Sequence, residues 1–154
     1  MKSTRSTPVV QEQIVAFADL GGYHRHVCSK LSPEGMFAFL SEYYSTAQVA
    51  LGGSDGRIVK FIGDAILMVF PPSDPIRVVT VLRKLKTSID AFLAQGSFEA
   101  RFRLKAHLGM VASGKIGVGE LERFDVCGLA VNEAALLPDG EWVLSDEFRK
   151  RAGE

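Results

Sequence analysis

Hydrophobic and polar positions follow two spacings along this chain. Residues 13–20 and 65–70 are short apolar runs, and residues 102–110 alternate apolar with polar positions, as half-buried strands do. Apolar residues recur at helical spacing from Pro33 to Gly52 and again from Pro75 to Gly96. The pattern therefore predicts a protein that mixes strands with two amphipathic helices.

The best defined turn lies between two predicted strands, residues 57–62 and 65–70. Only Gly63 and Asp64 separate them, which predicts a β-hairpin because glycine adopts the positive φ of a type II′ turn. The pattern after residue 110 predicts a short strand near Phe124, a helix, a strand and a final helical turn.

The order of elements is β-α-β-β-α-β, with β-α-β-α appended. It predicts an α+β fold, a ferredoxin-like split β-α-β core with helices packed on one sheet. We expect a single domain over residues 11–154, preceded by a polar and frayed N-terminal segment at residues 1–10.

Composition narrows the class of protein. Eighteen basic and eighteen acidic residues cancel, which argues against a nucleic-acid partner, and 47% of positions are apolar, as in ordinary globular proteins. No apolar run reaches the ~18–20 residues of a membrane span, and no signal peptide is evident. Cys28 and Cys127 form no CxxC motif, so we expect a reducing, cytoplasmic environment and no membrane association.

Two aspartates are the first candidates for chemistry. Asp19 ends the first predicted strand and Asp64 lies in the hairpin turn, so a split β-α-β sheet can bring them side by side. Paired carboxylates suit Mg²⁺ or Mn²⁺, and the backbone N–H groups of Gly21, Gly22 and Tyr23 would hold phosphate oxygens. Spacing alone leaves another interpretation open, in which one aspartate caps a helix and the other forms a turn.

Four segments carry a resemblance to a known family. Residues 17–23 (FADLGGY) resemble the Phe-x-Asp-Ile-x-Gly-Phe signature of class III nucleotidyl cyclases, and residues 60–64 (KFIGD) resemble their Lys-x-x-Gly-Asp hairpin. Residues 107–117 are similar to the Gly-Ile-His-x-Gly strand and its following glycines. Residues 124–134 resemble the Tyr-Asp-x-x-Gly and Val-Asn-x-Ala segment. The segments follow the family's order over residues 13–146, which implies a class III cyclase fold for nearly the whole chain.

The resemblance implies a role for each matching residue. Asp19 and Asp64 match the family's metal ligands, which hold two Mg²⁺ or Mn²⁺ ions. Lys60 and Asp125 match the pair that selects the base, and together they favour ATP, since lysine donates to an adenine ring nitrogen and aspartate accepts from its amine. Asn132 matches the residue that orients the ribose.

The implied reaction is the conversion of ATP to cyclic AMP and pyrophosphate by two-metal catalysis. In this family the site forms between two antiparallel subunits. One subunit supplies the metal ligands, and the other supplies the residues that match Lys60, Asp125 and Asn132. A homodimer with ATP as its ligand is therefore expected.

One departure from the family pattern concerns catalysis directly. The arginine that the family places four residues after the asparagine is Leu136 here, and Pro138 shortens the helix. Loss of an arginine that stabilises transition-state charge costs on the order of 10³–10⁵ in rate. Three interpretations stay open: a weak cyclase that uses Lys115, Arg123 or another cation, a non-catalytic pseudo-cyclase that acts as a nucleotide-binding, regulatory or dimerisation module, and the metal-supplying half of a heterodimer.

Overall fold

The strands of the computed structural model, which describes residues 7–154, form one sheet. Its order is β2-β3-β1-β4-β5, with antiparallel neighbours, and β6 adds to β4 in parallel. The strands are β1 (Val9–Gly21), β2 (Arg57–Ile62), β3 (Ala65–Phe70), β4 (Arg101–Ile116), β5 (Arg123–Cys127) and β6 (Trp142–Leu144).

The described part of the chain also contains two 3-10 helices, Cys28–Lys30 and Gly119–Leu121, and five α-helices: α1 (Tyr23–His26), α2 (Pro33–Leu51), α3 (Pro75–Gln95), α4 (Leu129–Leu136) and α5 (Asp146–Ala152). The two long helices begin where the sequence predicts, each with proline in its first turn. The hydroxyl of Ser32 accepts from the backbone of Gly35 at 3.1 Å, and the carboxylate of Asp74 accepts from that of Arg77 at 2.9 Å. These side-chain caps satisfy N–H groups that the helices themselves leave free.

The two faces of the sheet are covered unequally. The long helices α2 and α3 pack on one face over the main core, in which Tyr43, Leu82 and Phe102 are fully buried. The opposite face carries a smaller cluster of mostly valine and leucine residues, to which α4 contributes the buried Ala130 and Ala134 and the partly buried Val131. The α+β sandwich predicted from the element order is present, and its thinly covered face is the one that carries the candidate site.

Two strands are longer than the pattern of apolar residues predicts. β1 begins at Val9 instead of residue 13, because β4 continues to Ile116 and offers its backbone to the start of β1. Val9 pairs with Ser113 and Val10 with Ala112, so the prediction of a frayed segment through residue 10 is wrong at these two positions. The rest of that prediction, at residues 1–6, lies outside the described residues. Within the described residues, no helix is long and apolar enough to cross a membrane.

Candidate active site

The hairpin turn between β2 and β3 brings Asp64 to the end of β1. Gly63 has a φ of 58°, the positive value that the predicted turn requires. One carboxylate oxygen of Asp64 accepts a hydrogen bond from the backbone N–H of Leu20 at 2.9 Å. Since Leu20 directly follows Asp19, the two aspartates lie at one end of neighbouring strands, and we call them the carboxylate pair.

Two tyrosines of α2 hold this turn from the core side. The Tyr43 hydroxyl donates to the backbone carbonyl of Asp64 at 3.0 Å, and the Tyr44 hydroxyl donates to that of Gly63 at 2.6 Å. Burial, followed by the charge of Asp64, raises the pKa of both phenols, so both remain donors at neutral pH. The Tyr44 ring also stacks on Phe61 of β2, with centroids 3.8 Å apart. The position of Asp64 is therefore fixed by the main core.

An arginine that the sequence analysis did not single out contacts the other carboxylate. Arg103 of β4 lies directly opposite Asp19 in the strand register. Its Nε donates to one carboxylate oxygen at 2.7 Å and its Nη2 to the other at 3.0 Å. The hydrogen bonds to Asp19 raise the pKa of Arg103, so this guanidinium is permanently charged. The signal available in the sequence was the alternation of Arg103, Lys105 and His107 on one side of a strand.

The donor set of the carboxylate pair suits a hard divalent cation that shares its ligands with a substrate. The described residues hold no cluster of three or more metal-ligating side chains, so Asp19 and Asp64 stand without a third ligand of this kind. Mg²⁺ is commonly bound by one or two carboxylates, with water and substrate phosphates completing its shell. The predicted metal role of the pair fits these residues if phosphate oxygens supply ligands and a metal ion replaces Arg103 at the Asp19 carboxylate.

The glycine turn after Asp19 is tightly packed. Gly22 has a φ of 79°, and a Cβ there would lie 2.5 Å from Cδ2 of His26. The positive φ favours glycine, and any larger residue would also require the His26 ring to shift. The following helix, α1, is a single turn that begins at Tyr23. The predicted phosphate contact of Gly21, Gly22 and Tyr23 stays a prediction.

Lys60 and Asp125 come together from opposite edges of the sheet. Lys60 lies on β2 and Asp125 on β5, which are the two ends of the strand order. Their charged groups nevertheless form an ion pair with a 2.7 Å Nζ–Oδ2 distance. Beside it, the guanidinium of Arg57 lies 3.3 Å from the ring centroid of Phe124, a second contact between the same two strands. The sheet is therefore curled enough to bring this lysine and aspartate together within one chain, and we call them the base-reading pair after their predicted role.

Helix α4 presents the remaining predicted residues. Asn132 is exposed, and Leu136 is 83% exposed at the last position of the helix. His107 of β4 anchors the helix, because its Nε2 lies 3.0 Å from a carboxylate oxygen of Glu133. Leu136 therefore supplies no hydrogen-bond donor at this position, and it is not a core residue either.

The two cations named as substitutes for the missing arginine are engaged elsewhere. Lys115 lies 3.4 Å from a carboxylate oxygen of Glu122, and Arg123 donates to the backbone carbonyls of Glu120 and Glu122. All these contacts lie within the turn between β4 and β5. Exposed contacts of this kind can exchange, so the proposed substitution by Lys115 or Arg123 stays a prediction.

Comparison with known proteins identifies the family. The model for the adenylate and guanylate cyclase catalytic domain matches residues 7–139. Adenylate cyclase 1 of Rhizobium meliloti (strain 1021) is 28% identical over 136 residues, which are 82% of this chain and 20% of that protein. The chain thus spans about a fifth of the length of this relative.

Solved structures of cyclases confirm the predicted class III fold. The guanylyl cyclase Cya2 has a TM-score of 0.84 at 20% identity, covering 97% of this chain and 82% of its own. The adenylyl cyclase CyaB from P. aeruginosa has a TM-score of 0.86 at 18% identity, covering 96% and 83%. At these identities the likeness shows the fold. Because one of these proteins is a guanylyl cyclase and the other an adenylyl cyclase, the likeness does not distinguish ATP from GTP as the substrate.

Proposed function

This chain belongs to the family of adenylate and guanylate cyclase catalytic domains, and from that premise we propose that it converts ATP to cyclic AMP and pyrophosphate. The observation that carries the proposal is the 2.9 Å hydrogen bond between the Asp64 carboxylate and the backbone of Leu20. It places the Asp64 carboxylate beside the residue that follows Asp19, so both carboxylates lie at one end of the sheet, as a shared cation site requires.

The carboxylate pair is proposed to hold two Mg²⁺ or Mn²⁺ ions. When bound, these ions would lower the pKa of the ribose 3′-hydroxyl and neutralise charge on the triphosphate. In the reaction the 3′-oxygen bonds to the α-phosphorus, the bond from that phosphorus to the bridging oxygen breaks, and pyrophosphate leaves. The hydroxyl proton passes to solvent. The backbone N–H of Leu20 and the hydroxyl of Tyr43 keep Asp64 in place throughout.

The base-reading pair supports ATP as the substrate. Lys60 offers a donor and Asp125 an acceptor, which complement a ring nitrogen and the exocyclic amine of adenine. Guanine presents a carbonyl in place of that amine, so its binding would leave the Asp125 carboxylate facing another acceptor. Since the two side chains bind each other at 2.7 Å, adenine has to replace their ion pair. Asn132 is proposed to orient the ribose.

Exposed apolar side chains support an antiparallel homodimer. Val118 and Leu121, in the turn between β4 and β5, are 71% and 78% exposed, and Leu129 and Leu136 of α4 are 71% and 83% exposed. These side chains lie on two segments, residues 118–121 and 129–136, and contiguous apolar surface of this kind commonly marks an interaction site. A second copy would also bring its own α4 and base-reading pair to the carboxylate pair of the first.

A non-catalytic nucleotide-binding, regulatory or dimerisation module is the second candidate function. Two observations favour it: Leu136 offers no donor, and both carboxylate oxygens of Asp19 are bonded to Arg103. A related possibility is a heterodimer, in which this chain lends its carboxylate pair to a partner that has its own arginine.

Purified protein incubated with ATP and Mn²⁺ tests the proposal. We expect cyclic AMP and pyrophosphate in equal amounts, none with EDTA, and less product from GTP. Calorimetry of the same samples separates binding from turnover, and sedimentation gives the oligomeric state. Binding of Mn²⁺ and ATP without product would favour the pseudo-cyclase, product only after addition of another cyclase domain would favour the heterodimer, and absence of metal-dependent ATP binding would refute the proposal.

A further inference from the structure

A second cation follows Arg103 along the face of β4 that carries the candidate site. Lys105 is two residues from Arg103, and residues two apart in a strand share a face. The strand register places Arg103 opposite Asp19 and Lys105 opposite Phe17. Lys105 therefore lies two residues along β4 from the position opposite Asp19, on the same face of the sheet.

The ammonium group of Lys105 ends beside the C-terminus of α4. Its Nζ lies 3.1 Å from a carboxylate oxygen of Asp139, three residues after Leu136. The hydrogen bond and charge of Lys105, and then the charge of Arg103, lower the pKa of Asp139. Both cations thus act on one carboxylate, which connects the end of α4 to the environment of Asp19.

The two partners of this ion pair differ in their exposure. The Lys105 side chain is 19% exposed, whereas that of Asp139 is 87% exposed. A well-hydrated carboxylate holds a cation weakly, since water competes for it. A polyphosphate carries more negative charge than one aspartate and would compete successfully for the same ammonium group.

We propose that Lys105 is a catalytic cation of this site, which exchanges Asp139 for the triphosphate and neutralises charge on the departing pyrophosphate. The inference rests on the proposed function. Lys105 would supply the positive charge that the expected arginine at position 136 would have provided, since Leu136 has no donor. The strand motif quoted above has glycine two residues before the histidine, so Lys105 adds a cationic side chain at a strand position where that motif has none.

The proposed role requires no proton transfer by Lys105. Negative charge accumulates on the bridging oxygen as its bond to the α-phosphorus breaks, and an ammonium group stabilises that charge more in the transition state than in bound ATP. A lysine acts there as a point charge, without the two parallel hydrogen bonds of a guanidinium. Turnover should therefore depend on Lys105 more strongly than ATP binding does.

Three variants distinguish catalysis from support of the loop after α4. Lys105→Met removes the charge and keeps much of the side-chain volume, Lys105→Arg keeps the charge, and Asp139→Asn weakens the same ion pair while leaving the cation. We expect Lys105→Met to lower kcat about 100-fold and to raise KM less than tenfold. Lys105→Arg should retain most of the activity, and Asp139→Asn should match the parent or exceed it.

A merely structural ion pair gives a different result. Lys105→Met and Asp139→Asn would then lower the thermal midpoint and kcat to similar extents, and that outcome would overturn the inference. The double variant Lys105→Met, Leu136→Arg adds a rescue: a guanidinium at position 136 should restore at least a tenth of the parent's kcat. Failure of this rescue in a folded protein would also contradict the inference.

Inorganic tripolyphosphate with Mn²⁺ tests the inference even in a protein that does not turn over. We expect the parent to bind it, Lys105→Met to weaken binding about fivefold, and Asp139→Asn to leave binding unchanged or tighten it. Parent binding that Lys105→Met leaves unaltered overturns the inference alone. No binding by the parent overturns both the inference and the proposed function.

Discussion

The carboxylate pair and α4 represent two ways of presenting polar groups on one sheet. The carboxylate pair is held by the main core, since Tyr43 is fully buried and Leu20 is 2% exposed. Helix α4 contacts its face of the sheet through two alanines and the partly buried Val131, and it leaves Leu129 and Leu136 exposed. The first region is fixed by the core of its own chain, whereas the second leaves apolar side chains exposed.

The proposed function gives a physical reason for this difference. Divalent ions require carboxylates at defined positions, and strands joined by a two-residue turn provide them. Under the same proposal the other region would admit a nucleotide, and an exposed helix and an ion pair that can separate suit that role. Variants of each region should therefore fail in different ways.

The largest expected effect is the loss of the carboxylate pair. Asp64→Ala should abolish cyclic AMP formation and weaken metal-dependent ATP binding at least tenfold, or ~1.4 kcal/mol, because triphosphate charge would be uncompensated. Calorimetry with Mn²⁺ and a non-hydrolysable ATP analogue measures this change. Asp55→Ala, at an exposed aspartate before β2, is the matched control. Equal binding by the parent, Asp64→Ala and Asp55→Ala would show that Asp64 is a turn residue and not a metal ligand.

The next effect concerns the end of α4. Leu136→Arg should raise kcat at least tenfold while ATP affinity changes less than threefold, because a guanidinium acts mainly on charge that develops in the transition state. The side chain is 83% exposed, so the thermal midpoint should be unchanged. Leu136→Gln controls for polarity without charge. A folded Leu136→Arg protein that binds ATP and Mn²⁺ without a gain in turnover would contradict the missing-arginine interpretation.

A smaller effect is expected in base selection. Lys60→Met should reduce the preference for ATP over GTP about tenfold in a direct competition, because one of the two groups that distinguish the bases is gone. Arg57→Ala is the informative comparison, since Arg57 stacks on Phe124 beside the pair and reads no atom of the base. It should weaken both nucleotides alike. A parent protein that binds ATP and GTP equally would contradict the role of Lys60 and Asp125.

The smallest effects concern stability. Tyr43→Phe and Tyr44→Phe each remove one hydrogen bond to the hairpin turn, and each should lower the free energy of unfolding by about 0.5–1.5 kcal/mol in urea titrations. Tyr43→Phe should cost more, because its loss leaves a less accessible carbonyl unpaired. An equal loss of stability with no change in metal affinity would show that the turn is held without setting the position of Asp64.

Local sequence was sufficient for much of the carboxylate side. Pro33 and Pro75, each after a capping residue, mark the helix starts, and the two-residue spacing at Gly63 marks the hairpin. These signals depend on residues adjacent in the chain, so they can be read without knowing the fold. The resemblance then added the expected metal role of the aspartates, which stays a prediction.

Contacts across the sheet were beyond such reasoning. Arg103 lies 84 residues from Asp19, and only the register of β1 against β4 sets them opposite each other. The start of β1 at Val9 was missed for the same reason, because its partner is the distant end of β4.

The sequence by itself determined the elements, their order and the two aspartates at a strand end and a turn, because each depends on neighbours in the chain. Only the tertiary structure decided which charges meet. Curling of the sheet joins Lys60 to Asp125, strand register pairs Arg103 with Asp19, and the path after α4 brings Asp139 to Lys105. Such pairings depend on twist and register summed over several strands, which no local pattern of residues encodes.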